Sequence, residues 1–155
     1  MNAKSSKPKT QQVPKLIKLA ADGTHLPADA TQFAGILNLR DQIVTVYASD
    51  ERLSQQDAEK ASAKLKQIPG YTRWELMIDK DGELIVDRRF YGPAVDPEEY
   101  PHITPSWHWT RTPDASSPAD YAWYFNFVTG CVSRSYRYYH FRALAVCRPV
   151  PASQQ

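Results

Sequence analysis

Acidic residues run out before the chain does: no Asp or Glu follows Asp120, and beyond that point the charged side chains are arginines alone. Cysteine is scarce too, with two in 155 residues, too few for a disulfide scaffold. The six glycines form no phosphate-cradling loop and no nucleotide motif. Four histidines, His25, His102, His108 and His140, lack metal-ligand spacing, so neither a metal nor another cofactor is expected. A net charge of +2 argues against nucleic acid as a partner for the molecule as a whole. No run of about eighteen apolar residues is present, so no membrane insertion is expected. Met1 to Val13 is rich in Lys, Ser and Gln and has no apolar core of a secretory signal. The expected location is a bacterial-type cytoplasm, or a virion that carries the chain out of the cell.

What is present fits an ordinary globular protein, with 42% hydrophobic and 23% charged residues and a length suited to one domain with its own core. Residues 1–14 read as a polar arm, 15–150 as the domain and 151–155 as a tail. Lys15 to Leu19 and Gln42 to Tyr47 read as strands, and Phe33 to Leu39 is a further apolar run. Ser54 to Gln67 reads as a helix. Ser54 is placed to cap the first-turn amides, and Leu53 and Ala58 stand at the positions of a hydrophobic staple. Ala58, Ala61, Leu65 and Ile68 form a stripe at helical spacing, and Pro69-Gly70 ends it. From Trp74 to Val86, two apolar runs flank Asp79-Lys80-Asp81-Gly82, which looks locally like a hairpin. The carboxylates of Asp79, Asp81 and Glu83 alternate as in a calcium loop but lack its distal bidentate Glu. Between Phe90 and Pro105, four prolines exclude helix and central strand and predict an ordered irregular connection.

Residues 106 to 148 carry the functional signal. Nine of the eighteen aromatic residues lie between Tyr121 and Phe141. Trp107, Trp109, Trp123, Phe125 and Phe127 are expected in the core, with strand alternation placing Tyr121, Trp123, Phe125 and Phe127 on one face and Ala122, Tyr124 and Asn126 on the other. His108, between two tryptophans, reads as a packed, hydrogen-bonded residue. Ser133, Arg134, Ser135, Tyr136, Arg137, Tyr138, Tyr139 and His140 cannot all be buried without unsatisfied polar groups. They suit a contact surface, because Tyr supplies rigid area with a polar tip, Arg a planar fork, and Ser adaptable hydrogen bonding. The same stretch also reads as an exposed hairpin end. Arg111 and Tyr124 are taken as neighbours of this face.

Several short segments occur in the order of a known family: Arg52-Leu53-Ser54 with Asp57-Ala58-Glu59-Lys60-Ala61, Gly70-Tyr71 before Trp74, and Pro93-Ala94-Val95-Asp96-Pro97 with Tyr100-Pro101. Trp107-His108-Trp109-Thr110 with Thr112-Pro113 follows, then Ala122-Trp123-Tyr124 with Phe127 and Gly130, and finally Ala143-Leu144-Ala145-Val146. Over roughly residues 34 to 150 the chain resembles the C-terminal domain of the Lcl collagen-like adhesin, a family abundant in bacteria and temperate phages. The resemblance implies an α+β, C-type-lectin-like fold, related to formylglycine-generating enzymes and to retroelement-diversified phage receptor-binding proteins. Such a fold has a small twisted antiparallel sheet, one or two helices and extensive ordered loops. It also implies a module that binds a protein or glycan and does not catalyse. In the diversified relatives the variable residues precede a similar Ala-Leu-Ala-Val ending, which coincides with Ser133 to His140.

Two departures stand out. Where family members read Trp-Arg-Leu-Pro-Thr and then a helix, this chain has Trp74-Glu75-Leu76-Met77-Ile78 and then Asp81-Gly82, which predicts a hairpin instead. Cys147 stands beside Arg148 where an arginine or small residue is usual. If 127–134 and 142–149 paired as an antiparallel hairpin, Cys131 and Cys147 would face each other, and a disulfide there would stabilise by roughly 3 kcal/mol. The expected role is a virion decoration or tail protein, with the arm contacting other phage structural proteins and homo-oligomers allowed. The alternatives are an intracellular phage accessory that masks a host protein, and an enzyme of the formylglycine-generating type. Neither cysteine lies in a nucleophile motif that would support the last.

Overall fold

The computed structural model describes residues 14–66 and 68–149; the polar arm up to Val13 and the tail from 151 lie outside the described residues. Among these there are nine strands and two helices. In chain order they are β1 (Leu16–Leu19), β2 (His25–Leu26), β3 (Gly35–Asn38), β4 (Ile43–Tyr47), α1 (Gln55–Ala63), β5 (Glu75–Leu76), α2 (Asp79–Ile85), β6 (Trp107–Pro113), β7 (Tyr121–Asn126), β8 (Cys131–Tyr136) and β9 (Leu144–Cys147). One sheet has the order β2-β1-β3-β4-β9-β5 and the other β6-β7-β8, with every strand pair antiparallel.

The larger sheet is covered on both faces. Ile43 and Val146 join a cluster with Met77, Ile85, Val95, Tyr100, Phe125 and Phe127. Val44, Val46 and Ala145 join a second one with Leu19, Leu65, Ile68 and Trp74. Successive side chains of a strand point to opposite faces, so β4 is apolar in both directions and its buried Thr45 bonds His102 at 2.7 Å.

Helix α1 begins as expected: Ser54 is the cap, and its Oγ accepts from the Asp57 amide at 3.3 Å. It ends at Ala63, short of Gln67. The Ser62 hydroxyl donates back to the Ala58 carbonyl at 2.8 Å, and such back-bonding competes with helix continuation. The stripe is accordingly divided. Ala58 packs with Trp109 and Phe141, whereas Leu65 and Ile68 lie beyond the helix, in the cluster around Leu19 and Trp74.

The hairpin expected over 74–86 is not formed. β5 pairs with β9, and α2 stands where the Asp-Gly turn is expected. Asp81 closes the first turn of α2 by accepting from the Ile78 amide at 2.9 Å, half of a capping box. Gly82 is there for packing. A Cβ at this position would lie 2.2 Å from Cε2 of Phe125, so the helix seats directly on β7. The supposed calcium carboxylates are engaged separately: Asp79 by Thr112 at 2.9 Å, Asp81 by the Arg148 guanidinium, and Glu83 by Arg88 at 3.2 Å. The proline-rich stretch after Val86 carries no helix or strand up to Trp107.

The strand pairing that would join the cysteines is also absent. β8 pairs with β7, placing Cys131 opposite Asn126, while β9 inserts between β4 and β5, placing Cys147 opposite Val44. The two thiols sit in different sheets and are free, Cys131 exposed and Cys147 buried. Burial raises the Cys147 thiol pKa above its ordinary value. An exposed thiol reacts as its thiolate whereas a buried one is inert. Titration with a disulfide-exchange reagent is therefore expected to label one thiol per native chain and two in denaturant; an unlabelled native protein whose mass is two hydrogens low would contradict this.

Candidate functional site

β7 and β8 are joined by a turn at 127–130, where Gly130 adopts φ +86°, a conformation glycine enters without a Cβ penalty. β8 then runs to Tyr136 at the edge of its sheet. The segment that follows is bolted down from below. The Arg137 amide donates to the Asp120 carbonyl (2.9 Å) and the Arg137 carbonyl accepts from the Gln55 amide (2.9 Å). The Arg137 side chain reaches Gln55 Oε1 at 2.9 Å and the Pro118 carbonyl at 3.1 Å. Gln55 is buried at the start of α1, and its side-chain amide also donates to the Thr110 carbonyl at 3.2 Å. Beneath the turn, the indole N–H of buried Trp109 donates to the carbonyls of Leu53 (3.0 Å) and Tyr139 (3.2 Å). Leu53 and Phe141 exchange backbone hydrogen bonds at 2.8 and 2.9 Å.

With the backbone held inward, the tyrosines face out. Tyr136, Tyr138 and Tyr139 are 41%, 66% and 49% exposed. Tyr138 stacks on Tyr136 with ring centroids 5.3 Å apart and packs at a tilt of 38° against Tyr139 at 5.0 Å. Tyr121 extends the row at 4.4 Å from Tyr136. Ser133, Arg134 and His140 are exposed, and Ser135 and Arg137 half-buried. The Arg134 guanidinium lies 4.9 Å above the Tyr121 ring and is ion-paired with Asp114, whose carboxyl it holds below the ordinary carboxylate range. Stacked tyrosines shed little conformational entropy on contact, which suits a pre-formed recognition surface.

The two outlying residues behave differently. Tyr124 is half-buried beneath the turn, stacked on Trp107 at 4.9 Å and packed on Phe141 at 5.1 Å. Arg111 is ion-paired to Glu75 of β5 at 3.1 Å, which ties it to that strand and not to the tyrosines.

Two of the tryptophans depart from the expected core. Trp109, Phe125 and Phe127 are fully buried, but Trp107 is 45% exposed and Trp123 half-buried. β7 is covered on both sides, by Phe125 facing α2 and Ala122 facing Trp109 and α1, so its alternation does not separate core from solvent. Trp107 contributes instead to a cleft of about 380 Å³ lined by Arg52, Ser106, Phe141 and His140. On the other side of the tyrosines, Ser54, Asp120, Tyr136, Arg137 and Tyr138 line a polar groove of about 370 Å³. Gln55 and Trp107 are the contributors that sequence reasoning misses. Only the placement of Trp107 directly after Pro105-Ser106, at a strand start, hints at exposure.

His108 is a packed residue. Its Nδ1 lies 2.9 Å from the Ser106 carbonyl and its Nε2 lies 2.7 Å from the Tyr47 hydroxyl. A carbonyl only accepts, so Nδ1 carries the proton and Nε2 accepts from Tyr47. Burial lowers His108 to about 3 and His102 to about 4. Unfolded histidine titrates near 6.5, so between that pH and the folded values the unfolded chain binds more protons. Stability is therefore fully present above pH 6.5 and falls on acidification until the folded pKa values are passed. Between pH 7 and pH 4.5 each histidine is expected to contribute about 2.5 kcal/mol to this loss. Urea unfolding at pH 7 and pH 4.5 should show the drop, and His108→Gln should roughly halve it.

Two antiparallel sheets, two helices and long ordered loops define an α+β fold of the C-type-lectin-like class. The sequence matches the Lcl C-terminal domain family over residues 26–147, and the chain belongs to that family. No curated protein matches it. Among the described residues there is no helix long and apolar enough to cross a membrane, and no cluster of three or more His, Cys, Asp or Glu assembled to hold a metal.

Proposed function

We propose that this chain is a non-catalytic binding module of a temperate phage, presenting Tyr136, Tyr138 and Tyr139 with Ser133, Arg134, Ser135, Arg137 and His140 to a macromolecular ligand. One observation carries the reading: three neighbouring tyrosines stand exposed with their rings in contact while the backbone beneath them is fixed to α1 and Trp109. Exposed aromatic area of this kind matches the composition of interface hot spots. Family membership supports a binding role. The thiol chemistry of an enzyme finds no support in Cys147, whose pKa is raised by burial. An activated thiol needs the opposite shift.

In its specific form the module is a decoration or tail-associated protein of the virion; the second form is an intracellular accessory that masks a host protein with the same face. Mass spectrometry of purified particles separates them. The chain is expected among the particle proteins in stoichiometric amount. Absence from particles, together with specific capture of one host protein from lysate, would replace the first form by the second. Absence from particles with neither a protein nor a glycan retained would overturn the binding reading.

A further inference from the structure

The edge of the second sheet carries a recognition element beyond the tyrosine side chains. We propose that β8 accepts an extended peptide as an added antiparallel strand, with a carboxylate of the peptide seated on Arg134. The inference rests on the binding face proposed above and names its partner class.

The register of β8 determines which backbone groups are free. Arg137 and Asp120 form a hydrogen-bonded pair, the Arg137 amide donating to Asp120 at 2.9 Å. In an antiparallel ladder such pairs alternate with non-bonded ones. Counting back along the pairing with β7, Ser135, Ser133 and Cys131 turn their N–H and C=O groups toward β7. Val132, Arg134 and Tyr136 turn theirs outward. The Tyr136 carbonyl is taken by the Tyr139 amide at 3.1 Å. That leaves the amides of Val132, Arg134 and Tyr136 and the carbonyls of Val132 and Arg134 on an open edge, because among the described residues β7 is the one strand paired to β8. The opposite edge strand, β6, is covered: its Trp109 and Arg111 amides donate to the Arg142 and Met77 carbonyls at 2.9 and 2.8 Å. Unpaired backbone at strand spacing is a template for another strand.

Charge selects the occupant. The outward residues share one face: Val132 and Tyr136, 37% and 41% exposed, flank Arg134. Asp114 is only 8% exposed behind the Arg134 guanidinium, so a ligand meets the cation. The contacts to Asp114 and Ser116 both use Nη1, leaving the Nε and Nη2 donors for a further carboxylate. A second copy of β8 would bring arginine close to arginine, and like charges across a strand pair are destabilising. A peptide strand would place one residue opposite each outward residue, which gives a recognition pattern of apolar or aromatic, any, acidic, any, apolar or aromatic.

The test selects random displayed dodecapeptides against the whole chain and measures the binding of one enriched peptide, made synthetically. Enriched sequences are expected to carry Asp or Glu with apolar or aromatic residues two positions to either side. Val132→Pro removes an outward donor without breaking a bond to β7, a position where strands tolerate proline. It is expected to weaken binding about tenfold, while Val132→Thr, which keeps the donor, stays within about threefold. Should Val132→Pro fail to fold, hydrogen exchange on the unaltered chain decides the same question, because bound peptide should slow the Val132, Arg134 and Tyr136 amides. Peptides without the acidic pattern, unchanged exchange at those amides, or a chain dimer dissolved by Val132→Pro would each overturn the proposal. If peptides do not enrich but linear oligosaccharides bind and the tyrosine side chains are needed for it, the strand-addition inference fails and the binding face survives.

Discussion

Trp109→Ala is expected to cost about 3–5 kcal/mol of stability, the largest effect of any single substitution in the scaffold beneath the site. Trp109 is fully buried, with Phe141 at 4.4 Å and Tyr124 at 6.4 Å, and its removal opens a cavity between α1 and β7. The two carbonyls it serves, Leu53 and Tyr139, also lose a donor, at about 1 kcal/mol or more. In a chain of 155 residues the sum lowers Tm by roughly 10 °C or more. Trp109→Phe keeps much of the volume and loses only the donor, so a cost of about 1–2 kcal/mol is expected. Denaturant unfolding followed by circular dichroism measures both. Because Trp109 ties Tyr139 to the core, ligand binding should weaken in Trp109→Phe while the protein stays folded. A loss below about 1 kcal/mol for Trp109→Ala would show that the turn is held by other means.

The start of α1, the strand at Ile43–Tyr47 and the irregular proline-rich connection are legible in the sequence because each rests on local chemistry: a capping serine, a β-branched run and proline density. The exposed segment is legible for the same reason, since Arg137, Tyr138 and Tyr139 bring polar tips that a core does not absorb. What escapes the sequence depends on distant partners. Asp81-Gly82 looks like a hairpin turn, yet the glycine is present because Phe125 occupies the space where its Cβ would be. Cys131 and Cys147 look like partners only if β9 pairs with β8, whereas it inserts beside β4. The alternation of β7 misleads because that strand packs on α2 through one face and on Trp109 through the other. Gln55, the buried hub that holds Arg137, leaves no mark in a single sequence.

Joint replacement of Tyr136, Tyr138 and Tyr139 by alanine is expected to have the largest effect on function. Each ring contributes exposed, pre-stacked area, and interface tyrosines that act as hot spots are worth about 2 kcal/mol or more apiece. Two such contributions correspond to about a thousandfold in affinity. Stability should fall far less than affinity. The rings are 41–66% exposed and contribute mainly their two close mutual contacts, at about 0.5–1.5 kcal/mol per pair, which corresponds to a fall in Tm of roughly 2–12 °C. The backbone bonds of Arg137, Leu53 and Phe141 do not depend on the replaced side chains. The most direct measurement is therefore a paired one on the triple variant: calorimetric Tm, and affinity for the ligand that the unaltered chain retains. The expected result is a folded protein, its Tm lowered by no more than about 12 °C, that no longer binds. A folded variant that binds within about threefold of the original would contradict a tyrosine-centred binding face and place the ligand elsewhere on the molecule.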